Sequence, residues 1–155
     1  MKKTLQVIGA VIFCQLSGII GSVFTTSQIP VWYDTLIKPS FQPPSWLFGP
    51  VWVSLYTLMG ISVYLIWRMK KSKERTQALW LFGIQLFLNA IWSPIFFGWH
   101  QLGLALVVII LMWVFILVTI VRFYKLNKVS SYLLIPYLLW VSFASVLNYS
   151  IFILN

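Results

Sequence analysis

Acidic residues are almost absent from this sequence. Its 155 residues include only two of them, Asp34 and Glu74, and charged residues of both signs make up 8% of the chain, whereas hydrophobic residues make up 61%. A soluble domain needs about 25% charged residues to cover its surface. The composition therefore excludes a water-soluble globular protein and predicts a chain that lies almost entirely in a lipid bilayer.

Paired cysteines and charges within apolar segments are also missing. Cys14 is the single cysteine, so the sequence allows no intrachain disulfide. No Asp, Glu, Lys or Arg interrupts the long apolar runs, and proton or ion relays in membranes usually depend on such groups. The sequence also has no internal repeat of the kind common in secondary transporters. A pump or an ion-coupled carrier is therefore disfavoured.

The sequence is dominated by five long apolar runs. A helix needs about 20 apolar residues to cross a bilayer, and five windows meet this requirement: 5–26, 45–67, 77–97, 102–121 and 131–154. A β-barrel would instead show alternating strands of about ten residues. We therefore predict an all-α membrane protein, a bundle of five transmembrane helices that forms a single domain over residues 1–155.

Positive charges separate to one side of this predicted topology. Ten of the eleven Lys and Arg residues fall at the N-terminus and in the second and fourth loops, and Lys38 alone falls on the other side. The positive-inside rule then predicts a multi-pass protein of the cell membrane with a cytoplasmic N-terminus and an external C-terminus. The net charge of +9 thus reflects topology, and we expect no nucleic acid partner. We also expect the first run to be retained, because it is too long for a typical signal peptide.

Nine tryptophans are more than helix packing requires. Five of them lie near run ends or in loops, where the membrane interface favours tryptophan. The other four lie deeper, and an indole N–H buried in hydrocarbon without a partner is costly. These four therefore require polar partners or a cavity: Trp52, Trp92, Trp113 and Trp140.

Aromatic and amide residues recur at helical spacing on three of the runs, so each set shares one helix face. The sets are Trp52 and Tyr56 on the second run, Gln85, Asn89, Trp92 and Phe96 on the third, and Trp140, Ala144 and Asn148 on the fifth. All three can meet in the outer half of the bundle. The pattern fits an ordinary helix–helix seam and a ligand pocket equally well.

The segment 27–44 favours the pocket. Its prolines bar a regular helix throughout, yet it carries Ile29, Trp32, Tyr33, Leu36 and Phe41. A segment this apolar would not lie free in water, so we predict that it folds over the mouth of the bundle as a lid. The alternative is a segment that only seals the helix ends.

Three blocks of the sequence resemble a known family. The run WYDTLIKPSFQPPSWLFGPVWVSLYTLMGIS, from Trp32 to Ser62, is similar to the signature of the TspO/MBR family, which comprises the tryptophan-rich sensory proteins of bacteria and the mitochondrial translocator protein. The blocks LNAIWSPIFFGWHQLGLAL and LLIPYLLWVSFASVLNYSIFILN resemble later helices of the family in the same order. The resemblance covers essentially the whole chain.

The resemblance implies a five-helix bundle, usually a homodimer, with a pocket in its outer half beneath the first loop. Such pockets bind porphyrins, including protoporphyrin IX and haem, and benzodiazepine-type ligands, while some relatives bind sterols. No obligatory cofactor or metal is implied, since the lone His100 is more typical of a solvated interfacial residue than of a haem ligand. By position, the ligand-binding residues would be Tyr33, Pro43, Trp52, Tyr56, Asn89, Trp92, Trp140, Ala144 and Leu147.

The resemblance also suggests roles for these residues. The three indoles would stack on a flat macrocycle, Asn89 would donate a hydrogen bond from its amide, and the two tyrosines would offer hydroxyls. The favoured function is a membrane receptor or binding protein for porphyrins and related flat ligands. The alternatives are light-dependent porphyrin degradation, in which Trp52 and Trp140 would be the catalytic residues, and translocation of tetrapyrroles or sterols.

Small residues on two of the runs fit either a dimer contact or packing within one bundle. They are Ser17 with Gly21 and Gly18 with Ser22 on the first run, and Ala78 and Gly83 on the third.

Overall fold

The computed structural model describes residues 2–155, and all of their regular structure is helical, with no strand among them. Five helical segments are long and apolar enough to cross a membrane, which confirms the predicted five-helix, all-α membrane bundle. The helices are α1 (Lys2–Gln28), α2 (Phe48–Trp67), α3 (Lys73–Ser93), α4 (Leu102–Leu126), α5 (Lys128–Leu133) and α6 (Ile135–Leu154). The short α5 and the longer α6 together form the fifth span.

Most helices extend beyond the predicted apolar windows. The third helix begins at Lys73 and not at residue 77, and the fourth continues to Leu126 and not to residue 121. Charged residues end an apolar window, but the backbone hydrogen bonds of a helix continue through them into the headgroup region. Side-chain caps then mark the true starts. Ser72 accepts a hydrogen bond from the Arg75 amide at α3, and Asn127 accepts one from the Ser130 amide at α5.

Prolines shape two further boundaries. Pro94 lacks an amide hydrogen, and a wide π-helical turn over Pro94–Gly98 follows α3, closed by the Trp99 amide on the Pro94 carbonyl at 2.9 Å. Near the other end of the chain, Leu134 interrupts the fifth span two residues before Pro136. The predicted single helices at 77–97 and 131–154 are therefore each divided in two.

The first two helices approach each other closely in the half of the bundle nearer the N-terminus. A Cβ added to Gly60 of α2 would collide with the backbone of Val11 on α1, so glycine is what permits this crossing. Arg75 is buried nearby, and its guanidinium donates to the carbonyls of Ile66 and Trp67 at the end of α2. The Ile66 carbonyl also accepts from the Met69 amide at 3.1 Å, so Arg75 gives it a second donor and provides one for the Trp67 carbonyl at the end of the helix.

Two hydrophobic clusters fill the bundle. The larger one runs through the centre and includes Met59, Phe82, Met112 and Tyr137. The smaller one lies beneath the connection between α1 and α2, residues 29–44, which we call loop one. Tyr33 of loop one packs there with Phe96 and Phe97 of the π-helical turn. Loop one is thus folded onto the end of the bundle, and a cavity lies under it.

Candidate functional site

A single large cavity occupies the loop-one half of the bundle. Its volume is about 460 Å³, which falls within the range of roughly 300–1,000 Å³ typical of small-molecule sites. Residues of α1, α2, α3, α4, α6 and loop one line it, and most of them are apolar or aromatic. Eight of the nine residues predicted for ligand binding are among them: Tyr33, Trp52, Tyr56, Asn89, Trp92, Trp140, Ala144 and Leu147.

Pro43 is the predicted site residue that does not line the cavity. Loop one reaches the cavity through Ile29 and Tyr33 instead. The chain at Pro43 is already leading into the short 3₁₀ turn Ser45–Leu47 that precedes α2. A sequence match fixes Pro43 within the motif, but it does not fix which residues of an irregular loop face inwards.

Asn89 is the polar centre of the cavity wall. Its Oδ1 accepts hydrogen bonds from the Tyr56 hydroxyl at 2.5 Å and from Ser17 Oγ at 3.2 Å. Its Nδ2 donates to the Tyr137 hydroxyl at 3.1 Å, and that hydroxyl lies 3.5 Å from Met112 Sδ. Residues of four helices, including α3 itself, therefore hold the Asn89 amide in place. Hydrogen bonds in such a buried network are strong because no water competes for its donors and acceptors.

This network restricts what the site can offer a ligand. An Asn amide carries two N–H donors, and only one Asn89 donor is engaged among the described residues. The Tyr56 hydrogen is already given to Asn89. The predicted donor role of Tyr56 therefore does not fit this arrangement, while the second N–H of Asn89 remains for a ligand.

The deep indoles differ in how their N–H groups are satisfied. Trp92 Nε1 donates to Asn148 Oδ1 at 3.2 Å, and Trp113 Nε1, outside the cavity lining, donates to Ser142 Oγ at 2.7 Å. Trp140 Nε1 is buried and has no hydrogen-bond partner within residues 2–155. Trp140 lines the cavity, and its orphan N–H is enclosed in the cavity wall with almost no accessible surface of its own.

The cavity also presents flat aromatic surface. Trp52 stacks on Tyr56 with ring centroids 5.4 Å apart and meets Tyr137 edge to face at 6.2 Å. Trp92 stacks on Phe96 at 5.1 Å, and Trp140 contacts Phe48 edge to face at 5.9 Å. These contacts fix the ring planes in advance of binding, which lowers the entropic cost of stacking a ligand against them.

Loop one forms the roof of the cavity. Tyr33 is buried, and this burial, followed by the nearby Asp34 carboxylate, raises the pKa of its hydroxyl to about 12. The hydroxyl therefore remains a neutral donor throughout the physiological range. Lys38 lies 4.8 Å above the Tyr33 ring, donates to the Tyr33 carbonyl at 2.9 Å and reaches Asp34 at 3.5 Å. Its ammonium group is thus engaged within loop one.

His100 lies outside the cavity lining. It has a positive φ of 55°, its ring stacks on Trp32 at 4.1 Å, and its Nε2 lies 3.3 Å from Gln28 Oε1. The part of the chain that the structure describes contains no group of three or more His, Cys, Asp or Glu side chains that could hold a metal ion. Through Gln28 and Trp32, His100 therefore connects the end of α1 and loop one to the segment that follows the π-helical turn.

Sequence reasoning missed two contributors to the site. Tyr137, which fixes Asn89, lies seven residues before Ala144 and so belongs to the same helical face as Trp140 and Ala144. The other contributor is α1, whose Gly18, Ser22 and Thr26 line the cavity. Their spacing of four residues was visible, but small residues at that spacing indicate packing or dimer contact equally well. The structure sets Gly18 against Tyr56 and Gly21 against Ser93, both within one bundle.

Comparison with known proteins agrees with this architecture. The model of the TspO/MBR family matches residues 10–154. A tryptophan-rich protein TspO from Chlorobaculum tepidum is 42% identical over 99% of this chain and 98% of its own length. One from Archaeoglobus fulgidus is 41% identical over 97% of both chains. The translocator protein of Homo sapiens is 40% identical over 88% of this chain and 82% of its own length.

Proposed function

The chain belongs to the TspO/MBR family, and from that premise we propose that it is a receptor that binds porphyrins and related flat apolar molecules in the cavity under loop one. A binding or transport role in the membrane follows from the family. The choice of porphyrin rests on the resemblance together with the shape and chemistry of the cavity wall.

The observation that carries the proposal is the orphan N–H of Trp140 in an aromatic cavity. A buried donor without a partner costs about 1–3 kcal/mol, and a ligand acceptor would remove that penalty. The free N–H of Asn89 provides a second donor on α3. Porphyrins combine a flat aromatic surface with ring nitrogens and carboxylates, so they can stack on the indoles and accept from such donors.

The experiment is an equilibrium titration in lipid nanodiscs that follows the absorbance band of the ligand. Protoporphyrin IX, haem and a sterol are compared side by side. We expect saturable binding of the porphyrins at one site per chain, weakened by Trp140→Phe and by Asn89→Ala. The control is Trp80→Phe, because Trp80 is exposed and does not line the cavity. Porphyrin binding that is equally strong in all three variants would refute the proposal.

Light-dependent degradation of porphyrin is the second candidate. Trp52 and Trp140 both line the cavity, so an excited porphyrin there would lie beside oxidisable indoles, with dioxygen as the oxidant. Illumination in air should then yield a new absorbing product, and Trp52→Phe with Trp140→Phe should abolish this turnover while some binding survives. A band that merely shifts under illumination favours a receptor without this activity. Translocation is tested separately, by porphyrin flux into proteoliposomes.

We propose a cell-membrane location with the N-terminus in the cytoplasm. Ten Lys and Arg residues at one end of the bundle support this orientation, against Lys38 at the loop-one end. Ser40 and Lys71 are exposed at opposite ends, and the native Cys14 is buried. A membrane-impermeant thiol reagent should therefore label Ser40→Cys in intact cells and leave Lys71→Cys unlabelled. The reverse pattern would invert the topology.

We also propose a homodimer, as the family resemblance implies. Ala78 is fully buried within the bundle, whereas Gly83 is exposed on α3 and a Cβ there would meet nothing within 4 Å. Gly83 can therefore admit a neighbouring helix. Gly83→Phe should lower the dimer fraction measured by light scattering in detergent, and an unchanged fraction would exclude this face.

A further inference from the structure

The contact between α1 and α2 is closed in one half of the bundle and open in the other. It is closed where Gly60 meets Val11 and, further along, where Gln15 Nε2 donates to the Val53 carbonyl at 2.9 Å and to Thr57 Oγ1 at 3.1 Å. Gly18 packs on the Tyr56 ring at the same level as this last contact. Beyond it, towards loop one, the hydrogen bonds between the two helices cease.

The cavity opens sideways in that second half. Most residues that line it are buried or half-buried, and among the described residues only six lining residues are exposed: Ile19, Ser22 and Thr26 on α1, and Trp46, Gly49 and Val53 at the start of α2. Trp46 is 72% exposed, and Ile19 and Val53 are each 57% exposed. A residue that lines a cavity and is also exposed lies at an opening. All six therefore mark one opening, between α1 and α2.

The roof offers no comparable opening. Asn155 at the end of the chain exchanges two hydrogen bonds with Ile37 of loop one, at 2.9 and 3.0 Å. Trp32 is stacked on His100, and Tyr33, which lines the cavity, is only 3% exposed. Loop one is thus fastened to two separate parts of the bundle over the cavity.

The surroundings of the opening are lipid. Both α1 and the helical segment that begins at Ser45 are long and apolar enough to be membrane spans, so in a bilayer the rim residues would meet lipid of the leaflet on the loop-one side. The rim hydroxyls are already satisfied, since Ser22 Oγ donates to the Ile19 carbonyl at 2.9 Å and Thr26 Oγ1 to the Ser22 carbonyl at 2.7 Å. The two rim hydroxyls therefore present no unpaired donor to hydrocarbon.

We propose that apolar ligands enter and leave the cavity directly from the membrane, through this opening between α1 and α2, while loop one stays closed. The inference rests on the proposed binding function, because it concerns the route to the same cavity. The partner at the opening is the bilayer itself: lipid acyl chains contact the rim, and an amphiphilic ligand dissolved among them reaches the indoles without crossing water.

The test narrows the opening and measures exchange rates. Gly49→Phe adds a bulky ring at the rim, where a Cβ meets nothing within 4 Å. Gly9→Phe is the matched control, because Gly9 is equally free of neighbours, is exposed on α1, and is not part of the cavity lining. Protoporphyrin IX in phosphatidylcholine vesicles is mixed with protein in nanodiscs, and its association and dissociation rates are followed by stopped-flow absorbance. Thr26→Phe, on the opposite rim, repeats the test if Gly49→Phe does not fold.

We expect both rates to fall about tenfold in Gly49→Phe and to stay unchanged in Gly9→Phe, because moving a ring aside adds about 1.4 kcal/mol to a barrier shared by entry and exit. Asn155→Ala, which removes one of the two attachments of loop one, should leave both rates unaltered.

The proposal would be overturned if the rates in Gly49→Phe and Thr26→Phe match those of the wild type. It would also be overturned if the rates rise in Asn155→Ala. If a second copy of the chain covers this face instead, Gly49→Phe will lower the dimer fraction without slowing exchange in discs that hold one copy, and the proposal fails. These outcomes are distinct from failure of the proposed function, in which the wild type shows no equilibrium binding at all.

Discussion

Trp140→Phe should separate ligand affinity from protein stability. The substitution keeps an aromatic ring in the cavity wall and removes the Nε1–H, which has no partner among residues 2–155. Trp113→Phe makes the same chemical change at an indole that donates to Ser142 at 2.7 Å and does not line the cavity. The loss of ring area is common to both variants, so their comparison isolates the N–H.

The magnitudes follow from the hydrogen bonds. Trp113→Phe loses a bond worth about 0.5–1.5 kcal/mol, whereas Trp140→Phe loses none and removes an unpaired donor that costs about 1–3 kcal/mol. We therefore expect Trp140→Phe to be the more stable variant by about 1.5–4.5 kcal/mol. Its affinity for protoporphyrin IX should fall by about 1–3 kcal/mol, or roughly fivefold to 150-fold, because the ligand no longer relieves the penalty of the unpaired donor. The affinity of Trp113→Phe should not change.

Reversible unfolding in sodium dodecyl sulfate measures the stabilities, and the absorbance titration in nanodiscs measures the affinities. The reasoning is refuted if the two variants lose equal stability, because the Trp140 N–H would then have a partner in the ligand-free protein. It is also refuted if Trp140→Phe binds porphyrin as tightly as the wild type.

Three further substitutions test other parts of the structure by the same unfolding assay. Asn89→Ala should lower the free energy of unfolding by about 1–3 kcal/mol, because the buried Tyr56 hydroxyl loses its acceptor; no loss would show that the network is not structural. Gly60→Ala should cost about 1–3 kcal/mol, because the new Cβ overlaps the Val11 backbone, while Gly9→Ala, in open space, serves as its control. Gln85→Met should raise stability by about 1–3 kcal/mol without altering porphyrin affinity, because both polar atoms of the buried Gln85 amide lack partners in residues 2–155; a loss of stability would contradict this.

The number of spans and the faces that meet could be read from the sequence, because bilayer thickness and helical period impose them on any chain. Trp52, Asn89 and Trp140 come together as their spacing on three separate helices indicates. The ends of the helices could not be read in the same way. Lys73 and Lys125 are helical although they lie outside every apolar window. Hydropathy indicates which segments can lie in lipid, but it does not indicate where the backbone hydrogen bonds of a helix end.

The hydrogen-bond pattern of the site could not be predicted from the sequence either. Whether Asn89 bonds to Tyr56, to Tyr137 or to a ligand depends on how far each helix is rotated about its axis, and that rotation is set by packing such as Gly18 against Tyr56. The wall contributed by α1 was hidden for a related reason. Small residues such as Gly18, Ser22 and Thr26 are found both at the opening of a cavity and where two helices pack. Only their exposure in the folded bundle distinguishes these two positions.

The two buried side chains with unpartnered polar atoms have different meanings because of where they lie. Gln85 is 1% exposed and lies outside the cavity lining, so a ligand in the cavity does not reach its amide, and the unpaired atoms only lower stability. Trp140 offers a donor alone, buried in the wall of a space of about 460 Å³, and that space is too large and too apolar for a single bound water to fill. A ligand with an acceptor near a flat aromatic body would satisfy Trp140 and the cavity together, and for this reason the proposed porphyrin binding is expected to depend on that indole.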